Sequence, residues 1–503
     1  MDKSVIIIGA GIAGLSGGCY ARMNGYRTHI FEMHDKPGGL CTAWERKGYT
    51  IDGCLHWLVG SAPGTSLYRL WQELGALQGQ QVINLERFYR IEDASGKAFD
   101  LYTDIDRLEQ HMKELSPEDA DFIDECCDAV RRFTRIDLPV DKPPELYSPL
   151  DGMRLMSRML PHIGYLRKWS RMTMKDFSLH FRSPLLRSAW QQVWPLEFSA
   201  IFILMTLALM HRKQAGYVIG GSTKLSTAVE KRYLDLGGEI KYKSRVVKIV
   251  VADDEVVGVK LADGSEHQAD YVISAADGHA TIFDMLDGRY VNDKIRGYYE
   301  KSPIFQPLVY IGLGVNDSFS NMPQIISGLV LALDNPVMIA GEERQWLSAR
   351  IHNFDPTLAP AGKTLLTVML ESKYTYWESL REHLANYKAE KKRIADTVIG
   401  LLDKRFPGLT AKVEMQDVAT PYTFHRYTGN WQGSFEGWLM TPETVTLNMR
   451  KTLPGLDCFY MIGQWVQPGG GLPSGAMTGR HVIQMLCRRD RKSFVATVPG
   501  DEG

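Results

Sequence analysis

The 503-residue chain is poor in the features that mark metalloproteins, disulfide-rich proteins and nucleic-acid-binding proteins. Its seven cysteines are an odd number, they form no Cys-x-x-Cys pair, and no histidine and cysteine cluster has the spacing of a zinc site. This pattern predicts a reduced intracellular protein without a bound metal. The formal net charge of −1 excludes a global positive field that would attract nucleic acid.

Long hydrophobic runs are also missing from the sequence. The most apolar run, Phe198–Met210, has 13 residues, whereas a helix needs about 20 residues to span a bilayer. We interpret this run as a buried helix or as the lining of an apolar pocket. The first apolar stretch begins at Val5, which leaves no room for a signal peptide, so the expected location is cytoplasmic.

What the sequence does contain is a glycine-rich turn between two apolar stretches. The run Val5–Ile8 predicts a β-strand, glycines follow at Gly9, Gly11 and Gly14, and after a helical pattern a second apolar stretch ends in Glu32. This order of strand, turn, helix, strand and acid is typical of the unit that binds the ADP half of a dinucleotide. Gly11 would let a pyrophosphate approach the backbone, and Gly14 would let the helix pack closely on the strand. Glu32 stands where an acid accepts hydrogen bonds from ribose hydroxyls.

A basic segment lies in the second quarter of the chain. Residues 151–193 hold eight lysines or arginines and two aspartates, and Met153, Met156 and Met159 recur at helical spacing. A basic amphipathic helix is typical of a membrane-surface contact. A solvated basic face over a methionine-filled core gives the same pattern. Both interpretations stay open for this region.

Later parts of the chain predict further strands. The run Tyr271–Ser274 predicts a buried strand, and residues 305–352 and 364–371 predict an antiparallel sheet in a second domain. Near residue 460 a short strand, Phe459–Ile462, leads through the glycines Gly469–Gly471 into a helix.

Three separated segments together resemble one family. They are VIIIGAGIAG…FE…GG…GYTIDG at residues 5–53, RVVKI…GVKLADG…ADYVISAAD at 245–277 and IGQWVQPGGGLPSGAMTGR at 462–480. The chain resembles the FAD-dependent amine oxidase-like superfamily and, more narrowly, the phytoene desaturase, carotenoid isomerase and retinol saturase group. The resemblance implies an α/β fold: a Rossmann-type FAD-binding domain with the GxGxxG turn, an inserted α+β substrate domain and a helical cap that could face a membrane.

The resemblance also implies a discontinuous domain organisation. The expected FAD-binding domain comprises residues 1–85, 211–290 and 455–490. The expected substrate domain comprises residues 86–150 and 291–454, and a helical apolar and basic cap comprises residues 151–210.

The cofactor implied by the resemblance is non-covalent FAD. Gly38 and Gly39 match a glycine pair near the pyrophosphate and ribityl chain, Val246 matches a valine that contacts adenine, and Gly469–Gly471 would allow the backbone to approach the flavin ring. The positions that match cofactor-binding residues are Gly9, Ala10, Gly11, Ile12, Ala13, Gly14, Glu32, Met33, Gly38, Gly39, Leu40, Val246, Ala275, Asp277, Gly463, Gln464, Gly471, Leu472 and Ala476. Because the stretch IGLGVND at 311–317 lacks a third glycine and a following helix pattern, no separate NADPH domain is expected.

Catalytic residues are harder to identify from the sequence. A flavin carries out hydride transfer at its N5 atom, so the protein has mainly to hold an apolar C–H or C=C group against the ring and exclude water. Such a site needs few ionisable groups, in agreement with the missing Ser-His-Asp triad. The candidates adjacent to the motifs are His56, Trp57, His425 and Tyr427.

The favoured hypothesis is therefore an FAD-dependent oxidoreductase, phytoene desaturase-like, that acts on the C–C or C=C bonds of a long apolar small molecule. A polyene or isoprenoid-like substrate could be desaturated, saturated or isomerised. Two alternatives stay open: an amine or protoporphyrinogen oxidase-type flavoenzyme, and a non-catalytic protein of the same fold that binds a prenylated protein. The sequence indicates a possible membrane-surface contact through 151–210, no nucleic-acid partner and no particular oligomeric state.

Overall fold

A computed structural model describes residues 3–137, 140–445, 447 and 449–500. The strands in chain order are β1 (Ser4–Ile8), β2 (Arg27–Phe31), β3 (Ala43–Arg46), β4 (Tyr49–Asp52), β5 (Leu58–Val59), β6 (Val82–Ile83), β7 (Arg87–Glu92), β8 (Ala98–Tyr102), β9 (Ala215–Val218), β10 (Glu239–Lys241), β11 (Val246–Ala252), β12 (Glu255–Leu261), β13 (Glu266–Gln268), β14 (Tyr271–Ser274), β15 (Leu308–Val315), β16 (Ile325–Ile339), β17 (Glu342–Ile351), β18 (Thr364–Glu371), β19 (Val413–Ala419) and β20 (Phe459–Met461). The α-helices are α1 (Ile12–Met23), α2 (Ser66–Glu73), α3 (Ile105–Leu115), α4 (Ala120–Phe133), α5 (Pro149–Met159), α6 (Ile163–Arg171), α7 (Met174–Leu179), α8 (Pro184–Trp190), α9 (Ile201–His211), α10 (Gly221–Asp235), α11 (Asp293–Lys301), α12 (Tyr374–Arg381), α13 (Leu384–Arg405), α14 (Leu409–Lys412), α15 (Pro421–Thr428) and α16 (Gly471–Arg489).

Five strands from distant parts of the chain form one parallel sheet, in the order β10, β2, β1, β14, β20. Ile6 of β1 pairs with His29 of β2 on one side and with Val272 of β14 on the other. Successive side chains of a strand point to opposite faces, so Ile7 packs in the core with α1 and α16, while Ile6 packs with the small sheet of β11, β12 and β13. Because both faces are covered, β1 and β14 have continuous apolar sequences.

A second sheet of seven strands has the order β19, β15, β18, β17, β16, β7, β8. Its neighbours are antiparallel except β16 and β7, which are parallel, with Leu329 opposite Arg90. The strands within residues 305–352 and 364–371 are antiparallel to one another, as the sequence predicts. The parallel neighbour β7 lies outside those ranges and comes from a hairpin far earlier in the chain. Helix α13 packs on this sheet through Ile394 and Val398.

Helices α5 to α9 occupy residues 149–211, where the sequence predicts a helical cap. Helix α9 is apolar and contributes Ile203 and Leu207 to the core. Helix α5 has no buried residue, and its Met153 and Met156 are 59% and 58% exposed. The cap therefore combines an apolar inner helix with an outer helix whose methionines face solvent. The prolines of 138–149 predict a connector before α5, of which residues 138 and 139 lie outside the described residues.

The described ranges contain all seven cysteine thiols. There, all seven cysteines are free, and no three His, Cys, Asp or Glu side chains are grouped as a metal site would require. Within the same ranges, no helix has both the length and the apolar character needed to cross a membrane.

Candidate active site

A cavity of about 2010 Å³ extends from the glycine-rich turn after β1 to the cap helices. One part, here called the nucleotide half, lies at the carboxyl ends of the parallel strands, where open α/β sheets bind ligands. Its walls include Gly9, Gly11, Glu32, Gly38, Val246, Gly463 and Gly471. The other part, the apolar half, is lined by Trp57, Leu67, Phe198, Phe202, Met205, Phe305, Phe435 and Met440.

The glycines of the first turn serve two different needs. A Cβ atom on Gly14 would lie 1.9 Å from the carbonyl oxygen of Gly9, so this position requires glycine for the fold itself. A Cβ atom on Gly11 would find its nearest neighbour, the carbonyl oxygen of Gly38, at 3.9 Å. The protein leaves this space open on the cavity side, which fits a cofactor pyrophosphate close to the backbone.

Glu32 at the end of β2 is held by two backbone amides. The amide of Ala10 donates to Oε2 and the amide of His34 donates to Oε1, each at 2.7 Å. The side chain is buried and borders the cavity. Each carboxylate oxygen keeps a further lone pair, so the group fits a ribose diol.

Asp277, after β14, links two walls of the nucleotide half. Its Oδ1 accepts from the amide of Ala280 at 2.8 Å and its Oδ2 accepts from the amide of Trp431 at 2.9 Å. Burial raises the pKa of Asp277 to about 7, and the amide donors oppose a larger rise. Asp277 therefore fixes the loop after α15 to the parallel sheet.

The start of α16 closes the nucleotide half. The helix begins at Gly471, and its first backbone N–H groups are not used within the helix, which suits an electronegative edge of a ligand. A Cβ atom on Gly470 would lie 2.4 Å from the carbonyl oxygen of Glu436, and one on Gly469 would lie 3.0 Å from Cε of Met440. Two of the three glycines therefore make room for the loop at 436–440 as well as for a ligand.

Most of the residues predicted to bind the cofactor border this one cavity. Those in its walls are Gly9, Gly11, Ile12, Ala13, Glu32, Met33, Gly38, Gly39, Leu40, Val246, Ala275, Asp277, Gly463, Gln464, Gly471 and Leu472. Ala10, Gly14 and Ala476 lie behind the wall. Ala476 joins the helices, since its carbonyl oxygen accepts a hydrogen bond from Ser16 Oγ at 2.6 Å.

The four candidate catalytic residues do not form one group. His56 and Trp57 lie together in the cavity wall, where Trp57 packs against Phe88 with ring centres 5.2 Å apart. Burial, with a smaller contribution from the Arg350 guanidinium, lowers the pKa of His56 well below its usual value. Because Arg350 donates to the carbonyl oxygen of Leu55 at 3.0 Å, a cation is fixed behind a neutral His56.

His425 and Tyr427 lie on α15, on another part of the cavity wall. Tyr427 packs edge-on against His34, with ring centres 5.1 Å apart, and the backbone amide of His34 donates to Glu32. Nδ1 of His425 lies 3.0 Å from the carbonyl oxygen of Asn430. Tyr427 therefore lies on the Glu32 side of the cavity wall, in a different cluster from His56 and Trp57.

Glu436 is among the ionisable residues of the wall that sequence reasoning missed. It is the only acid in the aromatic and glycine-rich stretch 420–438. A single acid among aromatic residues and glycines was the only sign of Glu436 in the sequence. Whether such an acid can act in a reaction depends on the residues that surround it in the fold.

Comparison with known proteins agrees with this geometry. The family described as flavin containing amine oxidoreductase matches residues 12–483. A lycopene-forming phytoene desaturase of Pseudescherichia vulneris is 26% identical, over 96% of this chain and 99% of the relative. A chloroplastic prolycopene isomerase of Daucus carota is 24% identical, over 95% of this chain and 79% of the relative.

Solved structures share the fold. An oxidoreductase from Methanosarcina mazei superposes with a TM-score of 0.60 at 16% identity, covering 96% of this chain and all of the other. Cyclohexylamine oxidase from Brevibacterium oxydans gives a TM-score of 0.59 at 16% identity, covering 98% and 100%. The match over nearly the whole length, together with a cavity that fits FAD, shows that the chain belongs to the family of flavin-containing amine oxidoreductases and is an FAD-dependent oxidoreductase.

Proposed function

We propose that this enzyme transfers hydride between FAD and the C–C or C=C bonds of a long polyene of the carotenoid type. The observation that carries the proposal is the apolar half of the cavity, which is continuous with the nucleotide half and is walled by aromatic and aliphatic side chains. The names of the similar desaturases and isomerases support the same substrate class.

The residues of the wall have defined tasks in such a reaction. FAD, when bound, accepts or returns the hydride. Trp57, Phe305 and Phe435 would hold the polyene flat and exclude water. The neutral imidazole of His56 places no charge against the chain of double bonds. We propose desaturation as the reaction, with isomerisation as the second candidate.

Anaerobic incubation with purified substrates tests this function. The flavoprotein would be mixed in lipid vesicles with phytoene or prolycopene, and in buffer with putrescine or cyclohexylamine. We expect flavin bleaching and a new polyene chromophore with phytoene under a desaturase mechanism, and loss of the cis isomer without net bleaching under an isomerase mechanism. Bleaching by an amine and by neither polyene would reject the proposal.

We also propose that FAD is non-covalent and that the chain has no separate NADPH domain. The contacts offered to a cofactor are backbone amides, glycines and the Glu32 carboxylate. Acid precipitation should release all of the flavin into the supernatant. Flavin left in the pellet would contradict non-covalent binding.

The polyene is proposed to enter from a membrane surface through the cap. Leu155 and Met159 of α5 line the cavity on one side of the helix, while Met153 and Met156 point to solvent on the other. In the described part of the chain, four exposed arginines nearby form no ion pair: Arg154, Arg158, Arg167 and Arg171. A basic, apolar surface at the cavity mouth fits a cytoplasmic protein that docks on anionic lipid.

Vesicle sedimentation tests the docking surface. The variant Met153→Ser/Met156→Ser should lose most of its binding to vesicles that contain phosphatidylglycerol. The control Met338→Ser/Leu384→Ser removes two equally exposed apolar side chains elsewhere, 55% and 53% exposed, and should bind as before. Equal binding by both variants would exclude this face of the cap.

A further inference from the structure

Glu436 lies where the two halves of the cavity meet. Its neighbour Phe435 lines the apolar half and packs against Phe305, with ring centres 5.2 Å apart. On the other side, a Cβ atom placed on Gly471, at the start of α16, would lie 3.8 Å from Oε1 of Glu436. The carboxyl group therefore borders both the place of the cofactor and the place of the substrate.

Other acids in the described cavity wall are engaged or exposed. The oxygens of Glu32 and Asp277 accept from backbone amides, and Asp417 accepts from Trp44 and Arg46. Asp35, Asp284 and Glu371 are exposed. The side chain of Glu436 is half-buried and, within the described ranges, has neither a hydrogen bond nor an ion pair.

Burial is the one influence that shifts the pKa of the Glu436 carboxyl group. Burial raises the pKa of Glu436 to about 7, and no charged group contributes. On the adjoining helix α16 the first titratable side chains are Arg480, which is paired with Glu73, and His481, whose Nε2 lies 3.0 Å from the carbonyl oxygen of Val140. At neutral pH the group can therefore both accept and give a proton.

We infer that Glu436 is a catalytic acid–base residue that exchanges a proton with the bound polyene. The inference rests on the proposed function. In a desaturation, one carbon loses hydrogen as hydride to FAD, and the adjacent carbon loses hydrogen as a proton to the Glu436 carboxylate. The electron pair of that second C–H bond becomes the new π bond, and Glu436 then returns its proton to solvent. In a saturation both transfers run in reverse.

An infrared pH titration tests the proton site without any substrate. The purified FAD-bound protein should show the carbonyl band of a protonated carboxylic acid that fades with a midpoint near pH 7. Burial also raises the pKa of Asp277 to about 7, so in Glu436→Gln the part of the band that comes from Glu436 should be missing. It should persist in the control Glu443→Gln, which changes an exposed acid of the same loop that already bonds to Thr441. A titrating band unchanged in Glu436→Gln would overturn the inference.

Kinetics with phytoene or prolycopene provide the second readout. In Glu436→Gln, kcat should fall by about 100-fold or more, with flavin content unchanged, because general acid–base groups contribute on that scale. Glu436→Asp should recover part of the rate, and it replaces the glutamine variant if that one does not fold. Full activity of Glu436→Gln would reject the catalytic role of Glu436. Full activity of Glu436→Asp would also reject it if that variant lacks the infrared band. Neither result would reject the proposed function itself. If neither polyene reacts with the wild type, the proposed function fails, while the infrared titration still decides whether Glu436 holds a proton.

Discussion

At the scale of single residues, Gly11 and Gly14 have different neighbours although they belong to one motif. Gly14→Ala would place a methyl group 1.9 Å from the Gly9 carbonyl oxygen, so we expect a loss of about 2 kcal/mol or more of unfolding free energy. Gly11→Ala has room in the fold and should leave the stability of the cofactor-free protein nearly unchanged. It should nevertheless weaken FAD binding by about tenfold or more, because the methyl group occupies cofactor space.

Two measurements separate these effects. Urea unfolding of the cofactor-free proteins gives the stability change, and fluorescence titration with FAD gives the affinity. If Gly11→Ala bound FAD as tightly as the wild type, the open space beside this glycine would not be the pyrophosphate site.

The raised pKa of Glu436 makes stability depend on pH. The carboxyl titrates near 4.5 when unfolded and near 7 when folded. Between these values the folded protein binds more protons, so the unfolding free energy falls as pH rises and then levels off. In Glu436→Gln the part of this fall that Glu436 contributes is missing, while the part from Asp277 stays. The difference in unfolding free energy between pH 5 and pH 8 should therefore shrink by up to about 3 kcal/mol.

Urea titrations of wild type and Glu436→Gln at the two pH values measure this difference. They require no cofactor and no substrate. An identical pH dependence in both proteins would show that another group has the raised pKa.

At the scale of elements, helix α16 is fastened to α2 by a buried ion pair. Arg480 Nε donates to Glu73 Oε2 at 3.2 Å, and Arg480 Nη1 donates to the carbonyl oxygen of Asp141 at 2.7 Å. Both side chains are less than 10% exposed. Arg480→Leu leaves a buried carboxylate with one partner fewer and should cost about 3 kcal/mol of unfolding free energy.

An exposed ion pair on the protein surface provides the control for this change. Lys231 and Asp235 pair on the exposed face of α10, and Lys231→Ala should change stability by less than about 0.5 kcal/mol. Chemical unfolding of both variants compares them directly. A loss below 1 kcal/mol for Arg480→Leu would mean that α16 docks mainly through apolar packing.

Elements with a strong local signal could be predicted from the sequence. Strands β1 and β14 are observed where apolar runs predict them, because strands covered on both faces are apolar throughout. The parallel pairing of β7 with β16 could not be predicted in this way. The partner of a strand depends on surfaces contributed by distant segments, and neither strand encodes it alone.

The same distinction applies to the site. The glycine-rich turn and Glu32 carry their chemistry in a short stretch, so the sequence predicts a dinucleotide there. Glu436 has no such pattern. Its importance comes from its place beside Gly470, Gly471 and Phe435, where the carboxyl group is half-buried and, among the described residues, forms no hydrogen bond or ion pair.

At the scale of the whole molecule, bound FAD should stabilise the fold by contacting segments that are far apart in the chain. FAD contacts would join the ends of β1 and β2, the segment after β14 and the start of α16. Ligand at 100 times its dissociation constant stabilises a folded protein by about 2.7 kcal/mol. Thermal unfolding should therefore move upward with FAD. NADPH at equal concentration should give no comparable shift.

The variant Gly11→Ala serves as the control in the same scans, since its shift with FAD should be small. A substantial shift of the wild type with NADPH in addition to saturating FAD would contradict the proposed absence of a second nucleotide site.

The strand order of the parallel sheet has a consequence for biosynthesis. Strands β1 and β2 leave the ribosome early, but β14 emerges much later, and β20 and α16 follow only after the entire seven-stranded sheet has been made. During synthesis, β1 and β2 therefore stay unpaired with β14, exposed or bound by a chaperone, until the later segments complete the cofactor site. We expect chains stalled before β20 to leave added FAD fluorescent and released full-length chains to quench it, so that flavin loading follows translation.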